Sequence, residues 1–100
     1  MYWNVTDKER LILAFESAKN ADLLEKFLED LFTEKELLLY IKRLKAACLI
    51  QDGASYKQIQ TITGLGPATI AQISKKLKNK EGGFREILKK LNPNGESYFD

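Results

Sequence analysis

The sequence contains no histidine. The side chain used most often as general base and metal ligand near neutral pH is therefore missing. Cysteine occurs once, at Cys48, so no disulfide can close within the chain, and a reducing, cytoplasmic setting is expected. With no imidazole to activate it, and on the inward side of a helical pattern, Cys48 reads as core packing. The acidic residues are scattered over helix surfaces with no pair marked out for acid–base work, and nothing resembles a phosphate loop or a metal cluster. Catalysis, a metal and a cofactor are all unexpected. No apolar run approaches the roughly twenty residues of a membrane span. The stretch from Met1 to Asp7 has neither the basic region nor the apolar stretch of a secretion signal. There is no internal repeat and no low-complexity segment.

What is present is 100 residues of ordinary globular composition, enough for one domain with a marginal core. An all-helical chain of this size often completes its core with a second copy of itself. The formal charge is only +2, but it is unevenly distributed. Residues 1–54 hold eight basic and ten acidic side chains, whereas residues 55–91 hold eight basic and two acidic. Residues 92–100 add two acidic ones, Glu96 and Asp100. A basic half of this kind is either a solvated lysine face or the footprint of a polyanion binder.

The periodicity is helical throughout and no segment reads as a strand. Thr6 and Glu9 have capping-box spacing, ahead of Leu11, Ile12, Phe15 and Ala18 at helical intervals. Asn20 can cap a second helix carrying Leu23, Leu24, Phe27, Leu28 and Leu31. Thr33 and Glu36 repeat the capping box and open a longer helix to about Gln51. Leu37, Tyr40, Ile41, Leu44, Cys48 and Leu49 form its expected inward set, and Leu38 and Leu39 widen the stripe beyond one face. Asp52-Gly53 stops it. Ser55 and Gln58 cap a short helix whose Ile59 and Ile62 are expected inside. Gly64-Leu65-Gly66 is a turn with Leu65 directed into the core. Pro67 suits the first position of the next helix. Gly82-Gly83 breaks the chain again, before a last helix with Phe84, Ile87, Leu88 and Leu91. The expected layout is one all-α domain over 1–93. Dimerisation helices occupy 6–51, a helix-turn-helix 55–78 and a final helix 83–91, with a flexible tail over 94–100.

The segment from Ser55 to Lys78 is the most informative one. In its second helix Ile70, Ile73 and Leu77 recur on one face and anchor it. Ala68, Ala71, Gln72 and Lys75 share the opposite face, flanked by Thr69 and Lys76. Alanine and the threonine methyl can meet thymine methyls without holding a helix away from the major groove, and glutamine can bond adenine through both amide groups. Gly66, with Pro67 behind it and free amides at the helix start, can approach a phosphate. Lys57, Lys75, Lys76 and Lys78 would hold the backbone and fix register. Tyr56 and Gln60 are placed to meet the neighbouring strand. The predicted partner is double-stranded DNA. A bulkier residue at Gly66 is expected to collide at the turn.

From about Leu31 to Leu91 the chain resembles the Trp repressor superfamily, and within it the YerC/YecD-type branch. The resemblance rests on Thr33-Glu-Lys-Glu, the Lys42-Arg43 pair, Gly53-Ala-Ser-Tyr56, Thr63-Gly64, Ala68-Thr-Ile70 and Gly82-Gly-Phe-Arg85. It implies a six-helix, intertwined homodimer whose recognition helices enter successive major grooves about 34–36 Å apart. The Trp repressor holds its amino-acid co-repressor between two arginines, over a glycine. Arg43 matches the first arginine, but Gln72 stands at the second and Ile73 at the glycine. The isoleucine is expected to fill that cavity, so tryptophan is not expected as co-repressor. Arg43 is then left for a surface or interhelix ion pair. Two other readings fit the same chain. A helical protein-interaction module would use Leu38, Leu39, Phe27 and Phe32 to meet a different protein. A nonspecific nucleic-acid binder would show salt sensitivity without sequence selection.

Overall fold

Local hydrogen bonds set the helix boundaries in this chain, and most of them are made by residues next to each helix. The structure, a computed structural model, describes residues 5–99. The start of the N-terminal stretch read for a secretion signal, residues 1–4, and the last residue of the expected tail, Asp100, lie outside them. Six α-helices and no strand occur among the described residues: α1 Asp7–Ser17, α2 Ala21–Leu31, α3 Glu34–Gln51, α4 Tyr56–Thr63, α5 Pro67–Lys78 and α6 Gly83–Leu91. The all-α class read from the sequence is the observed one. None of the helices is long and apolar enough to cross a membrane. The sequence pattern suggests a single domain over 1–93; the chain divides into two compact units with the boundary between Leu37 and Leu38, and each is described in turn.

In the first unit the Thr6 hydroxyl accepts the Glu9 N–H at 3.1 Å, and the Asn20 side chain accepts the Leu23 N–H at 2.9 Å. These bonds satisfy amides that a helix start otherwise leaves open. Phe15 of α1 and Phe27 of α2 meet edge to face, ring centroids 5.5 Å apart at 79°. Such a pair contributes about 0.5–1.5 kcal/mol beyond its buried area. No residue of α1 or α2 is fully buried. Leu11, Ile12, Leu23 and Leu31, expected to face inward, are exposed, because two eleven-residue helices cannot enclose a core by themselves.

Thr33 and Glu36 form the full capping box at the start of α3: the Thr33 N–H donates to the Glu36 carboxylate at 2.9 Å, and the Glu36 N–H donates to the Thr33 hydroxyl at 3.1 Å. Bonding to the Thr33 backbone, and then to its side chain, holds the Glu36 carboxyl below its ordinary pKa.

The second unit is built on the C-terminal half of α3. Its core consists of Ala46, Ala47, Cys48 and Leu49 of α3, Ile59 of α4, Leu65 of the turn, Ile70, Ile73 and Leu77 of α5, and Leu88 of α6. Burial of each large aliphatic side chain stabilises the fold by about 1.5–3 kcal/mol. Two expectations for α3 are corrected here. Tyr40, Ile41 and Leu44 are exposed, Ile41 by 53%, whereas Ala46 and Ala47 are completely buried. In α6 Leu88 is buried, but Ile87 and Leu91 are exposed.

Where the sequence suggests a flexible tail, residues 96–99 fold back onto the second unit. The Ser97 hydroxyl donates to the Asp52 carboxylate at 2.8 Å, and the Tyr98 N–H donates to the same carboxylate at 3.2 Å. The Tyr98 hydroxyl donates to the Leu88 carbonyl at 2.9 Å, and its ring packs against the core. Burial, then the nearby Cys48 and Asp52, pushes the phenol pKa up, which keeps it a donor.

Candidate nucleic-acid interface

α4 and α5 are joined by a turn of three residues, and the geometry of the site follows from how that turn is held. Ser55 and Gln58 close a capping box at the start of α4: Ser55 N–H to the Gln58 side chain at 2.8 Å, Gln58 N–H to the Ser55 hydroxyl at 3.1 Å. At the other end Gly64 adopts φ +75°, ψ +4°, and its N–H bonds the Gln60 carbonyl at 2.8 Å. This left-handed C-cap is the conformation for which glycine carries no Cβ penalty. Thr63 locks the turn. Its hydroxyl donates to the Ile59 carbonyl at 2.7 Å and accepts the Leu65 N–H at 3.2 Å. That second bond directs Leu65 into the core, as its apolar side chain requires.

Sequence reasoning misses Thr63 as a turn-holding residue, and its burial corrects the expected inward face of α4. Ile59 is buried as expected, but Thr63 takes the place expected for Ile62, which is 51% exposed. The available signal is spacing: Thr63 lies one helical turn beyond Ile59 and immediately before the glycine.

Gly66 is the N-cap of α5, with Pro67 at its first position and no side chain capping the end. The amides of the first turn are therefore left for an incoming acceptor. Gly66 itself has φ −73°, and a Cβ placed on it would meet nothing within 4 Å. The expected collision inside the protein is thus corrected: there is space at this turn for a side chain.

On α5, Ile70, Ile73 and Leu77 are buried, and Ser74 with them. α5 touches both α4 and α6 through this side. Gly66, Pro67, Ala68, Ala71, Gln72, Lys75, Lys76 and Lys78 are exposed, as are Tyr56 and Lys57 of α4, whereas Gln60 and Thr69 are half-buried. The sequence-predicted residues thus lie on the accessible surface of one two-helix element. Lys75, Lys76 and Lys78 stand in the last turn of α5, where cations also complement the helix dipole.

Thr69, Gln72 and Lys76 have a second neighbourhood. With Tyr40, Arg43 and Phe84 they line a cavity of about 280 Å³. Ile73 is expected to fill this space, yet it turns into the core and forms only part of the wall. Arg43 makes none of the expected ion pairs: the single ion pair among the described residues is Arg10–Asp7. Its Nε is buried with no hydrogen-bond partner. The reason is legible in α3, where positions 39, 40, 46 and 47, one turn to either side, carry no acid.

The chain is 26% identical over 83 residues to "Uncharacterized protein YerC" of Bacillus subtilis (strain 168), covering 83% of this chain and 80% of that protein. No solved structure matches it significantly. The family model described as "Trp repressor protein" matches residues 7–92, which contain all six helices. The chain belongs to the Trp repressor family, a family of non-enzymatic, DNA-binding regulators.

Proposed function

We propose that this protein is a cytoplasmic, sequence-specific regulator of transcription that binds double-stranded DNA as a homodimer and acts as a repressor. The observation that carries the reading is the two-sided character of α5. Its isoleucines and Leu77 are buried, and its outer edge presents alanines, a glutamine and a terminal lysine cluster to solvent. Ala68, Thr69, Ala71 and Gln72 read base edges, and Gly66 and the start of α5 approach a phosphate. Lys57, Lys75, Lys76 and Lys78 hold the backbone, with Tyr56 and Gln60 against the adjacent strand. The thin outer edge leaves room for water-mediated base contacts.

Tryptophan does not serve as co-repressor in this proposal. A cavity is present beside Arg43, but the second cationic plate is replaced by Gln72 and a glycine floor by Ile73. Equilibrium dialysis showing micromolar tryptophan binding overturns this part.

Selection of bound duplexes from a random pool, with the oligomeric state measured in parallel, tests the whole. The expected result is a dimer that enriches a twofold pattern with half-sites about one helical turn apart. Enrichment without sequence preference favours a nonspecific binder. No binding at low salt favours an interaction module built on the exposed Leu38 and Leu39.

A further inference from the structure

A second cavity, of about 370 Å³, lies among the end of α3, α5, α6 and the returning tail. Ile50 and the buried Leu77 and Leu88 give its lining an apolar part. Lys78 from α5 and Arg85 and Lys89 from α6 also line it. None of these three cations has a carboxylate of another described residue within 4.0 Å; Arg10–Asp7 is the ion pair found among the described residues. The nearest acid on α3's end, Asp52, is engaged by Ser97 and Tyr98. Tyr98 supplies one wall and is fixed there by its bond to the Leu88 carbonyl.

Three like charges lining one cavity raise its positive potential, which water and salt screen at the exposed Lys78 and Lys89 and a shared anion would lower further. Arg85 is half-buried, and a guanidinium there presents a planar fork that suits phosphate oxygens. The apolar part of the lining gives nothing to a bare inorganic ion. It does reward an occupant with an apolar body, by the free energy of the surface it covers. We propose that this cavity is a binding site for a small phosphomonoester with an aromatic or aliphatic body. Lys78, Arg85 and Lys89 hold the phosphate, and the body lies on Ile50, Leu77 and Leu88 against the Tyr98 ring. Only Lys78 is shared with the proposed duplex surface, so the site stands whether or not the protein binds DNA.

The test is an amide NMR titration of the full chain with phenyl phosphate and, separately, with inorganic phosphate. Phenyl phosphate is expected to shift the amides of Ser74, Lys78, Arg85 and Tyr98 and to bind about tenfold more tightly than inorganic phosphate, a difference of about 1.4 kcal/mol. Arg85→Gln is expected to weaken it about tenfold with an unchanged far-UV spectrum, and Lys89→Gln to weaken it too. Equal affinity for the two probes overturns the proposal, as do shifts spread over Lys57 and Lys75 or an Arg85→Gln variant that binds normally. If phenyl phosphate is ignored while Arg85→Gln weakens duplex binding, these cations belong to a DNA backbone phosphate and the small-molecule site is refuted.

Discussion

Gly64 and Gly66 stand two residues apart in the same turn, and the structure gives them different reasons to be glycine. Gly64 has φ +75°, and a Cβ added to it would have nothing within 4 Å, so space is not the constraint and backbone conformation is. A side chain in the left-handed region costs about 1–2 kcal/mol. Alanine also restricts the unfolded chain, which returns about 0.4–1 kcal/mol. Gly64→Ala is therefore expected to lose about 1 kcal/mol, or about 4–8 °C in melting temperature for a domain this small. Gly66 has an ordinary φ of −73° and equally open space. Alanine is a poorer N-cap than glycine, by up to about 1 kcal/mol, and the same unfolded-state gain offsets it. Gly66→Ala should leave the melting temperature nearly unchanged, while both it and Gly66→Val weaken duplex binding by blocking the approach of a phosphate. Thermal unfolding by circular dichroism and duplex titration at fixed salt separate the two effects. A Gly64→Ala protein that melts like the parent refutes the conformational argument. A Gly66→Val protein that binds duplex like the parent refutes the close approach.

Four further outcomes are expected. Lys57→Ala and Lys76→Ala should each lower the slope of log affinity against log salt by about 0.9 while leaving sequence preference alone; a changed preference with an unchanged slope contradicts the assigned roles. Gly82→Ala should destabilise by about 1–3 kcal/mol, because its Cβ would sit 3.1 Å from the Asn79 carbonyl and 3.2 Å from that of Lys76, and a denaturant midpoint equal to the parent's counts against it. Burial first, and then Asp52, raises the Cys48 thiol pKa, so alkylation by iodoacetamide should be slow and should follow unfolding by denaturant; a native-state rate near that of a free thiol contradicts this. Glu36 titrates below its ordinary value, so its contribution is complete above that value and is lost as pH falls through the lowered one; the melting temperature of Glu36→Gln should fall less steeply across this acidic range than the parent's.

The readable parts of the fold are those whose causes are local. Asn20, Thr33 with Glu36 and Ser55 with Gln58 announce helix starts within four residues, and each makes the hydrogen bond its spacing allows. Ile70, Ile73 and Leu77 declare their face because α5 is packed along one side. Ile62 misleads because apolar spacing favours it over Thr63. A buried hydroxyl is tolerable only when bonded, and Thr63 has both a carbonyl to donate to and an amide to accept from. The return of Tyr98 to Asp52 joins residues 46 positions apart, a distance at which no spacing rule applies. Among the candidate site residues, exposure is readable from helical phase. The half-burial of Thr69 beside Arg43 is not, since it depends on how α5 meets α3.

The hydrophobicity of α3 bears on why a chain of this kind would pair with itself. Leu37 to Ile41 are five apolar residues in succession, and a helix turns about 100° per residue, so no single neighbour can cover them all. The second unit's core takes Ala46 and Ala47 instead and leaves Leu38, Leu39, Ile41 and Leu44 exposed. These four side chains are 38–53% exposed, so burying what remains is worth about 3–5 kcal/mol per protomer. Association costs about 4–15 kcal/mol in lost freedom, and both protomers would contribute their leucines. The balance lies in the range where a stable pair forms, whereas the same surface left in water gains nothing. A second copy also brings a second α5, which a twofold DNA site requires. The apolar half and the basic half of this sequence therefore support the same proposal from opposite ends of the chain.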